Sequence, residues 1–198
     1  MQVLKNIFQV GGDINGITFD VPDALWNDGN SYILKTEGGL IMFDCGCGDT
    51  MEQIFNNMRY WDLQPEDIRY CILTHPHYDH AGGAHILKER GVKLVAIGET
   101  ADAVASGDER CCGYLYHKIF TPVTVDQLVK DGEKFTLLGV EIEVMHLPGH
   151  SMGCTAFLFE WTGKKLVISG DVIGTLLVGD FGWDGSIDFD KKIYTESL

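Results

Sequence analysis

Hydrophobic and polar positions follow two different periods in the first half of the chain. Apolar or alternating runs bounded by turn residues predict β-strands over residues 3–10, 31–36, 40–44, 70–74 and 93–97. Helices are predicted between them, over residues 49–61, 83–90 and 99–105. The first helix begins with a capping-box pattern at Asp49 and Glu52, and Gly91 is a suitable left-handed cap after the second.

The second half, from residue 134 onward, has the pattern of successive hairpins. Strands are predicted over residues 134–138, 140–145, 155–161 and 164–169, with turns at Gly139 and Gly163. Strands interleaved with helices and then followed by hairpins predict an α/β fold, a mixed sheet system covered by helices. A chain of 198 residues is expected to form one domain, residues 1–198.

Composition and charge narrow the class of function. No apolar run approaches the ~20 residues of a membrane helix. The first six residues also lack the apolar run of a signal peptide, so a cytoplasmic protein without membrane attachment is expected. The six cysteines form no Cys-x-x-Cys pair, so neither a zinc knuckle nor a thioredoxin-type site is indicated, and their count fits a reducing compartment. The net charge of −14 argues against a nucleic-acid substrate, because binding phosphates requires clustered Lys and Arg.

The densest group of metal-ligand side chains directly follows the predicted strand at 70–74. Residues 75–80 read His-Pro-His-Tyr-Asp-His, so three imidazoles and one carboxylate occupy six positions. Imidazole is the commonest protein ligand for zinc, and carboxylate is its usual complement. His75 and His77 are two apart and point the same way in extended backbone, so they can bind one ion. Asp79 and His80 lie beyond the turn and can reach a second ion.

Two later stretches also end a predicted strand on a ligand-type residue. His150 lies in a Pro-Gly-His-Ser turn after the strand at 140–145, and Asp171 follows the apolar run at 167–168. Either residue alone would usually be solvated or act as a cap. Three separate strand ends that each close on such a residue predict a metal site built from distant parts of the chain.

These motifs resemble those of the metallo-β-lactamase superfamily of metal-dependent hydrolases. The similar elements are His-x-His-x-Asp-His at 75–80, Gly-His-Ser-x-Gly at 149–153 and Ser-Gly-Asp at 169–171. The likeness runs from about residue 30 to residue 171 and includes a strand that ends in Asp-Cys-Gly at 44–46. It implies a four-layer αββα sandwich with the metals at one edge of the two sheets.

The resemblance also implies a ligand set for two divalent metal ions. The first ion would be held by three imidazoles, those of His75, His77 and His150. The second would be held by Asp79 and His80, with Asp171 bridging the two ions. Zinc is the expected metal, and iron and manganese are the alternatives.

The implied chemistry is attack by water on a carbonyl or phosphoryl centre. Two divalent ions ~3.5–4 Å apart share a water, lower its pKa and stabilise the developing oxyanion, so no Ser or Cys nucleophile is required. Asp79 is expected to orient this nucleophile and to take part in proton transfer. Thr74 and Asp44 are candidates for orienting the imidazoles.

One further histidine of the family's two-metal site has no counterpart in this sequence. The family places it on a turn after another helix and strand, and residues 190–198 look like the beginning of that helix. His85, His117 and His146 stand elsewhere. We therefore expect a C-terminally shortened member whose second metal site is weak or empty. Its uncovered apolar edge would favour a homo-oligomer.

Three functions remain open at this stage. The first is hydrolysis of a small ester, thioester, lactone or amide, as in glyoxalase II or the acyl-homoserine lactonases. The second is a mononuclear non-haem iron oxygenase resembling the persulfide dioxygenases. The third is a catalytically impaired metal-binding module. Aromatic residues in segments 106–122 and 172–189 suit a small-molecule substrate with an apolar acyl group or a ring.

Overall fold

Two β-sheets form the centre of this computed structural model, which describes residues 1–12, 28–173 and 186–198. The larger sheet has seven strands whose spatial order follows the sequence. They are β1 (Gln2–Leu4), β2 (Ile7–Gly11), β3 (Ser31–Thr36), β4 (Gly39–Phe43), β5 (Ile68–Ile72), β6 (Lys93–Ile97) and β7 (Gln127–Val129). Neighbours from β1 to β4 are antiparallel, whereas neighbours from β4 to β7 are parallel.

The smaller sheet contains four antiparallel strands. They are β8 (Lys134–Leu137), β9 (Val140–His146), β10 (Thr155–Trp161) and β11 (Lys164–Ile168). Their spatial order is β11, β10, β9, β8, so each pairs with its neighbour in sequence. This is the run of hairpins that the sequence predicts.

The described residues also form five α-helices. They are α1 (Met51–Tyr60), α2 (Tyr78–Ala81), α3 (Ala84–Glu89), α4 (Gly98–Ser106) and α5 (Lys191–Ser197). Asp190 is the N-cap of α5, since its side chain accepts hydrogen bonds from the backbone N–H groups of Lys192 and Ile193. None of the helices in these ranges has the length and hydropathy of a membrane span.

Hydrophobic side chains fill two separate cores, one on each face of the larger sheet. Leu40 and Met42 of β4 belong to the core shared with α1, whereas Ile41 and Phe43 belong to the core between the sheets. Because both faces are covered, the central strands are continuous apolar runs. Phe43 stacks on Phe159 of β10 with ring centroids 5.6 Å apart. This layered arrangement confirms the predicted α/β fold built on two sheets.

Coverage by helices is uneven in the part of the chain that the structure describes. Helix α1 packs on the larger sheet through its buried face, Met51, Ile54, Phe55 and Met58. On the outer face of the smaller sheet, Met145 and Val167 remain 38% and 51% exposed. Helix α5 instead contacts the turn before β10, where Ser197 Oγ donates to the Pro148 carbonyl over 2.8 Å.

Two local predictions were wrong, and one strand was missed. The run 3–10 forms two strands, because Asn6 takes a left-handed conformation (φ 64°) and turns the chain between them. Asp49 does not cap α1. The N-cap is Thr50, and Asp49 pairs with Lys118 over 2.7 Å. Strand β7 was not predicted, because it is short and half polar.

The two aromatic segments have different outcomes. Segment 106–122 contains two short 3-10 helices, Glu109–Cys111 and Gly113–Tyr116. Phe181 and Trp183 of the other segment lie outside the described residues.

Candidate metal centre

The histidine motif begins where β5 leaves the larger sheet. His77 is still extended (φ −60°, ψ 150°) and is the residue immediately before α2, which carries Asp79 and His80. The change from strand to helix at this point brings the two halves of the motif to one place. The His75 and His80 imidazoles lie with ring centroids 4.2 Å apart.

The other two predicted ligands lie in turns that follow strands of the smaller sheet. His150 lies in the turn between β9 and β10, and Asp171 lies in a 3-10 turn (Gly170–Val172) after β11. Gly149 precedes His150 with φ +135°, and a Cβ there would overlap the Tyr194 backbone of α5. Only glycine permits this close approach, so α5 and the His150 turn are tightly packed.

These residues converge into two groups of potential ligands. One nitrogen from each of His75, His77 and His150 lies within 4.8 Å of the other two. The atoms offered by His75, His80 and Asp171 also lie within 4.8 Å of one another. The first group is the one predicted for the first ion. The structure therefore brings together side chains that are up to 96 positions apart in sequence.

Asp79, the other residue predicted for the second ion, is in neither group but lies beside His80. Its Oδ2 lies 3.5 Å from His80 Nε2. His75 belongs to both groups, so the second position has only His80 and Asp171 to itself among the described residues. A cavity of about 310 Å³ adjoins His80 and Asp171 between the first strand and β11, so described residues do not fill the space beside this position.

Buried nitrogen atoms in the first group fit a metal ion. His75 Nε2, His77 Nε2 and both ring nitrogens of His150 are buried and have no hydrogen-bond partner. An unpaired buried polar atom costs about 1–3 kcal/mol, so several at one point are unusual in a native protein. A divalent transition metal would take up the lone pair of His75 Nε2 and that of one His150 nitrogen.

An outer layer of oxygen atoms fixes the orientation of two imidazoles. The Thr74 hydroxyl lies 3.0 Å from His75 Nδ1, and Asp44 Oδ2 accepts from His80 Nδ1 over 2.8 Å. Asp44 also accepts from the Thr74 backbone N–H (2.8 Å) and hydroxyl (2.7 Å). Each ring thus has one nitrogen held from outside, which leaves the other for the centre. Thr74 and Asp44 occupy the orienting positions expected for them.

Burial and nearby charges shift the pKa values of the four imidazoles in different directions. Burial lowers the pKa of His75 well below its ordinary value, and burial with repulsion from His77 lowers that of His150 to about 4. Burial opposes charge on His80 too, but the surrounding carboxylates, Asp171 foremost, raise its pKa well above the ordinary value. Burial opposes charge on His77 as well, but its interactions with Asp188 and Cys112 raise its pKa to about 9. His75 and His150 therefore offer neutral imidazoles, whereas a metal bound by His77 or His80 must displace a proton.

Two aspartates at the site were missed in the sequence. The Asp28 carboxylate accepts from the Cys47 backbone N–H over 2.6 Å, and the adjacent Gly29 N–H donates to the Asp79 carbonyl. Asp188 Oδ1 lies 3.7 Å from His77 Nε2. Both residues lie in irregular segments without a motif, so no sequence signal could have identified them.

The three spare histidines are in neither ligand group. His85 and His146 have a ring nitrogen near the carbonyls of Gly82 and Met152 respectively. His117 is exposed. The described residues therefore offer no substitute histidine for the second position.

Comparison with known proteins agrees with the geometry. Residues 24–198 match the family model described as the metallo-beta-lactamase superfamily. A Cronobacter sakazakii metallo-beta-lactamase with a HARLDQ motif is 29% identical, with a TM-score of 0.70, over 85% of this chain and 61% of that one. BJP-1, a subclass B3 metallo-beta-lactamase of Bradyrhizobium japonicum, is 26% identical, with a TM-score of 0.75, over 100% of this chain and 70% of that one.

A third similar structure is described with its metals. The class B3 di-zinc metallo-beta-lactamase LRA-12, from an Alaskan soil metagenome, is 25% identical with a TM-score of 0.65. The match covers 82% of this chain and 58% of that one. The chain thus spans less than two thirds of the length of the Cronobacter and soil-metagenome proteins. The chain belongs to the metallo-beta-lactamase superfamily.

Proposed function

We propose that this chain is a metal-dependent hydrolase that cleaves a small ester, thioester, lactone or amide. The observation that carries the proposal is the convergence of one ring nitrogen from each of His75, His77 and His150. Nitrogens of His75 and His150 are also buried there without a hydrogen-bond partner. A structural role for these rings would leave their polar atoms paired with protein oxygens, as most buried polar atoms are.

We assign the first ion to His75, His77 and His150, and a second, weaker position to His80, Asp171 and Asp79. Bound zinc ions would supply an activated water and a positive charge for the developing oxyanion. The second position is weaker because His75 already serves the first, and fewer protein donors bind a transition metal less tightly. Iron or manganese at the same residues is the alternative.

Asp79 is the residue we assign to proton transfer. Its carboxylate lies outside both ligand groups, beside His80, and its side chain is 20% exposed. It can therefore reach both the centre and an entering substrate. Asp171, at 42% exposure, borders the same opening.

The partner we propose is a small molecule and not a nucleic acid. The net charge of −14 would repel a phosphate backbone, and metal ions at one site would offset only part of it. A cytoplasmic location and self-association also stay predictions.

The test is metal analysis combined with a substrate panel. The purified chain, loaded with zinc, manganese or iron, is assayed against thioesters, lactones, β-lactams and phosphodiesters. We expect bound zinc and turnover of one or more carbonyl substrates, lost in His150→Ala and kept in His117→Ala. Selective turnover of a phosphodiester would contradict the proposal. One bound iron with oxygen consumption would support the oxygenase instead.

A further inference from the structure

Asp188 lies beside the candidate metal centre although no motif marks it. Its side chain is 11% exposed, and Oδ1 lies 3.7 Å from His77 Nε2. The other oxygen, Oδ2, accepts a hydrogen bond from the Met152 backbone N–H over 3.2 Å. The Ser186 hydroxyl, two residues earlier, donates to the His150 carbonyl over 3.2 Å. The carboxylate thus stands between His77 and the turn that carries His150.

Asp188 approaches His77 from outside the ligand groups. Its oxygens are in neither set of converging ligand atoms among the described residues, whereas His77 is. His75 and His80 each have one ring nitrogen beside an outer oxygen, at 3.0 and 2.8 Å. His77 Nε2 has no partner within hydrogen-bond distance, and Asp188 Oδ1 approaches it at 3.7 Å.

We propose that Asp188 is the positioning residue of His77. Its carboxylate accepts the Nε2 proton of His77, so that Nδ1 keeps its lone pair for the metal ion. A distance of 3.7 Å is longer than a hydrogen bond, so the proposal requires the imidazole to turn toward Asp188. Through Met152, the same carboxylate fixes the His150 turn against His77. The two ligands come from different sheets, so their spacing depends on such a link.

This inference rests on the proposed metal centre and adds a residue to it. Partners that orient a ligating histidine typically contribute 10–100-fold to metal affinity. We therefore expect Asp188→Asn to weaken zinc binding by about 10–100-fold. Asparagine keeps an acceptor for the Met152 N–H, so the turn itself is retained. Asp188→Glu, which keeps the carboxylate, should recover part of the affinity.

A matched control contacts the β9–β10 hairpin that carries His150. Asp131 Oδ1 also accepts a backbone N–H, that of His146, over 2.9 Å, and it contacts no predicted ligand. Asp131→Asn should leave zinc affinity unchanged, whereas a general loosening of the hairpin would weaken binding in both variants. Urea unfolding of the metal-free proteins separates a loss of folding from a loss of affinity.

Zinc competition titration and histidine NMR together decide the matter. In the zinc-loaded wild type, ¹⁵N-labelled His77 should carry its proton on Nε2, and that signature should change in Asp188→Asn. If Asp188→Asn binds zinc as tightly as the wild type, or if His77 carries its proton on Nδ1, the role of Asp188 is overturned but the metal centre is not. A wild type that binds no zinc overturns the metal centre, and this inference with it.

Discussion

Replacing Asp44 with asparagine tests the layer of oxygen atoms that surrounds the centre. Asp44 is almost fully buried and accepts three hydrogen bonds, from the Thr74 N–H, the Thr74 hydroxyl and His80 Nδ1. Its backbone is left-handed (φ 54°), which asparagine tolerates about as well as aspartate. Asp44→Asn therefore changes the charge and one acceptor without adding strain.

The magnitude follows from the three hydrogen bonds. An asparagine amide presents one NH₂ group, so in either orientation one or more of the donors now faces another donor. A buried donor left unpaired costs about 1–3 kcal/mol, and the remaining bonds lose about 1 kcal/mol each without the negative charge. We expect a total loss of about 3 kcal/mol in the free energy of unfolding, or roughly 6–12 °C in Tm. Zinc affinity at the second position should fall about 10–100-fold because His80 loses its orientation.

The assay is urea unfolding of the metal-free protein, followed by zinc competition titration of the same samples. Asp49→Asn is the control, because Asp49 is half exposed and pairs only with Lys118 at the surface. Such a pair contributes about 0–1 kcal/mol. If Asp44→Asn were as stable as this control and bound zinc with unchanged affinity, the reasoning about the outer oxygens would be refuted.

Three other changes have equally direct outcomes. His75→Ala and Asp171→Ala should each reduce the amount of bound zinc in elemental analysis, whereas His117→Ala should not. Equal losses in all three variants would contradict the ligand assignment. Gly149→Ala should reduce the free energy of unfolding by roughly 1–3 kcal/mol, because the φ of +135° and the Tyr194 backbone exclude a Cβ. A urea midpoint like that of the wild type would contradict this packing. Zinc at a thousandfold excess over its Kd should stabilise the folded protein by about 4 kcal/mol in thermal unfolding. Adding a chelator should reverse this stabilisation.

Much of the fold could be predicted because its signals are local. Strands β10 and β6 were predicted at residues 155–161 and 93–97, where apolar runs stand between turn residues. The positions of His75 and His150 followed from strands that end just before them, since strand ends of one sheet system meet at an edge. The structure brings these side chains together, as that argument requires.

The remaining features depend on contacts that local sequence does not encode. The left-handed turn at Asn6 looks like one more polar position of an alternating strand. Asp49 has the spacing of a helix cap, yet Lys118, brought close by the fold, pairs with it instead. Asp188 reaches His77 across 111 positions, from the segment before α5. Such contacts form only when distant segments pack, so their residues carry no pattern in the sequence.

The division of ligands between the two positions also needed the structure. From the motif alone, Asp79 and His80 were placed together on the second ion. The geometry joins His80 with Asp171, as predicted, and adds His75, while Asp79 Oδ2 lies 3.5 Å from His80 Nε2.

An X-ray structure of the zinc-loaded protein, with anomalous differences at the zinc edge, tests the central claim most directly. The account predicts one strong peak at about 2.0–2.1 Å from a ring nitrogen of each of His75, His77 and His150. A second, weaker peak is expected beside His80 and Asp171. Zinc bound only at other residues, or no peak at stoichiometric zinc, would contradict the account.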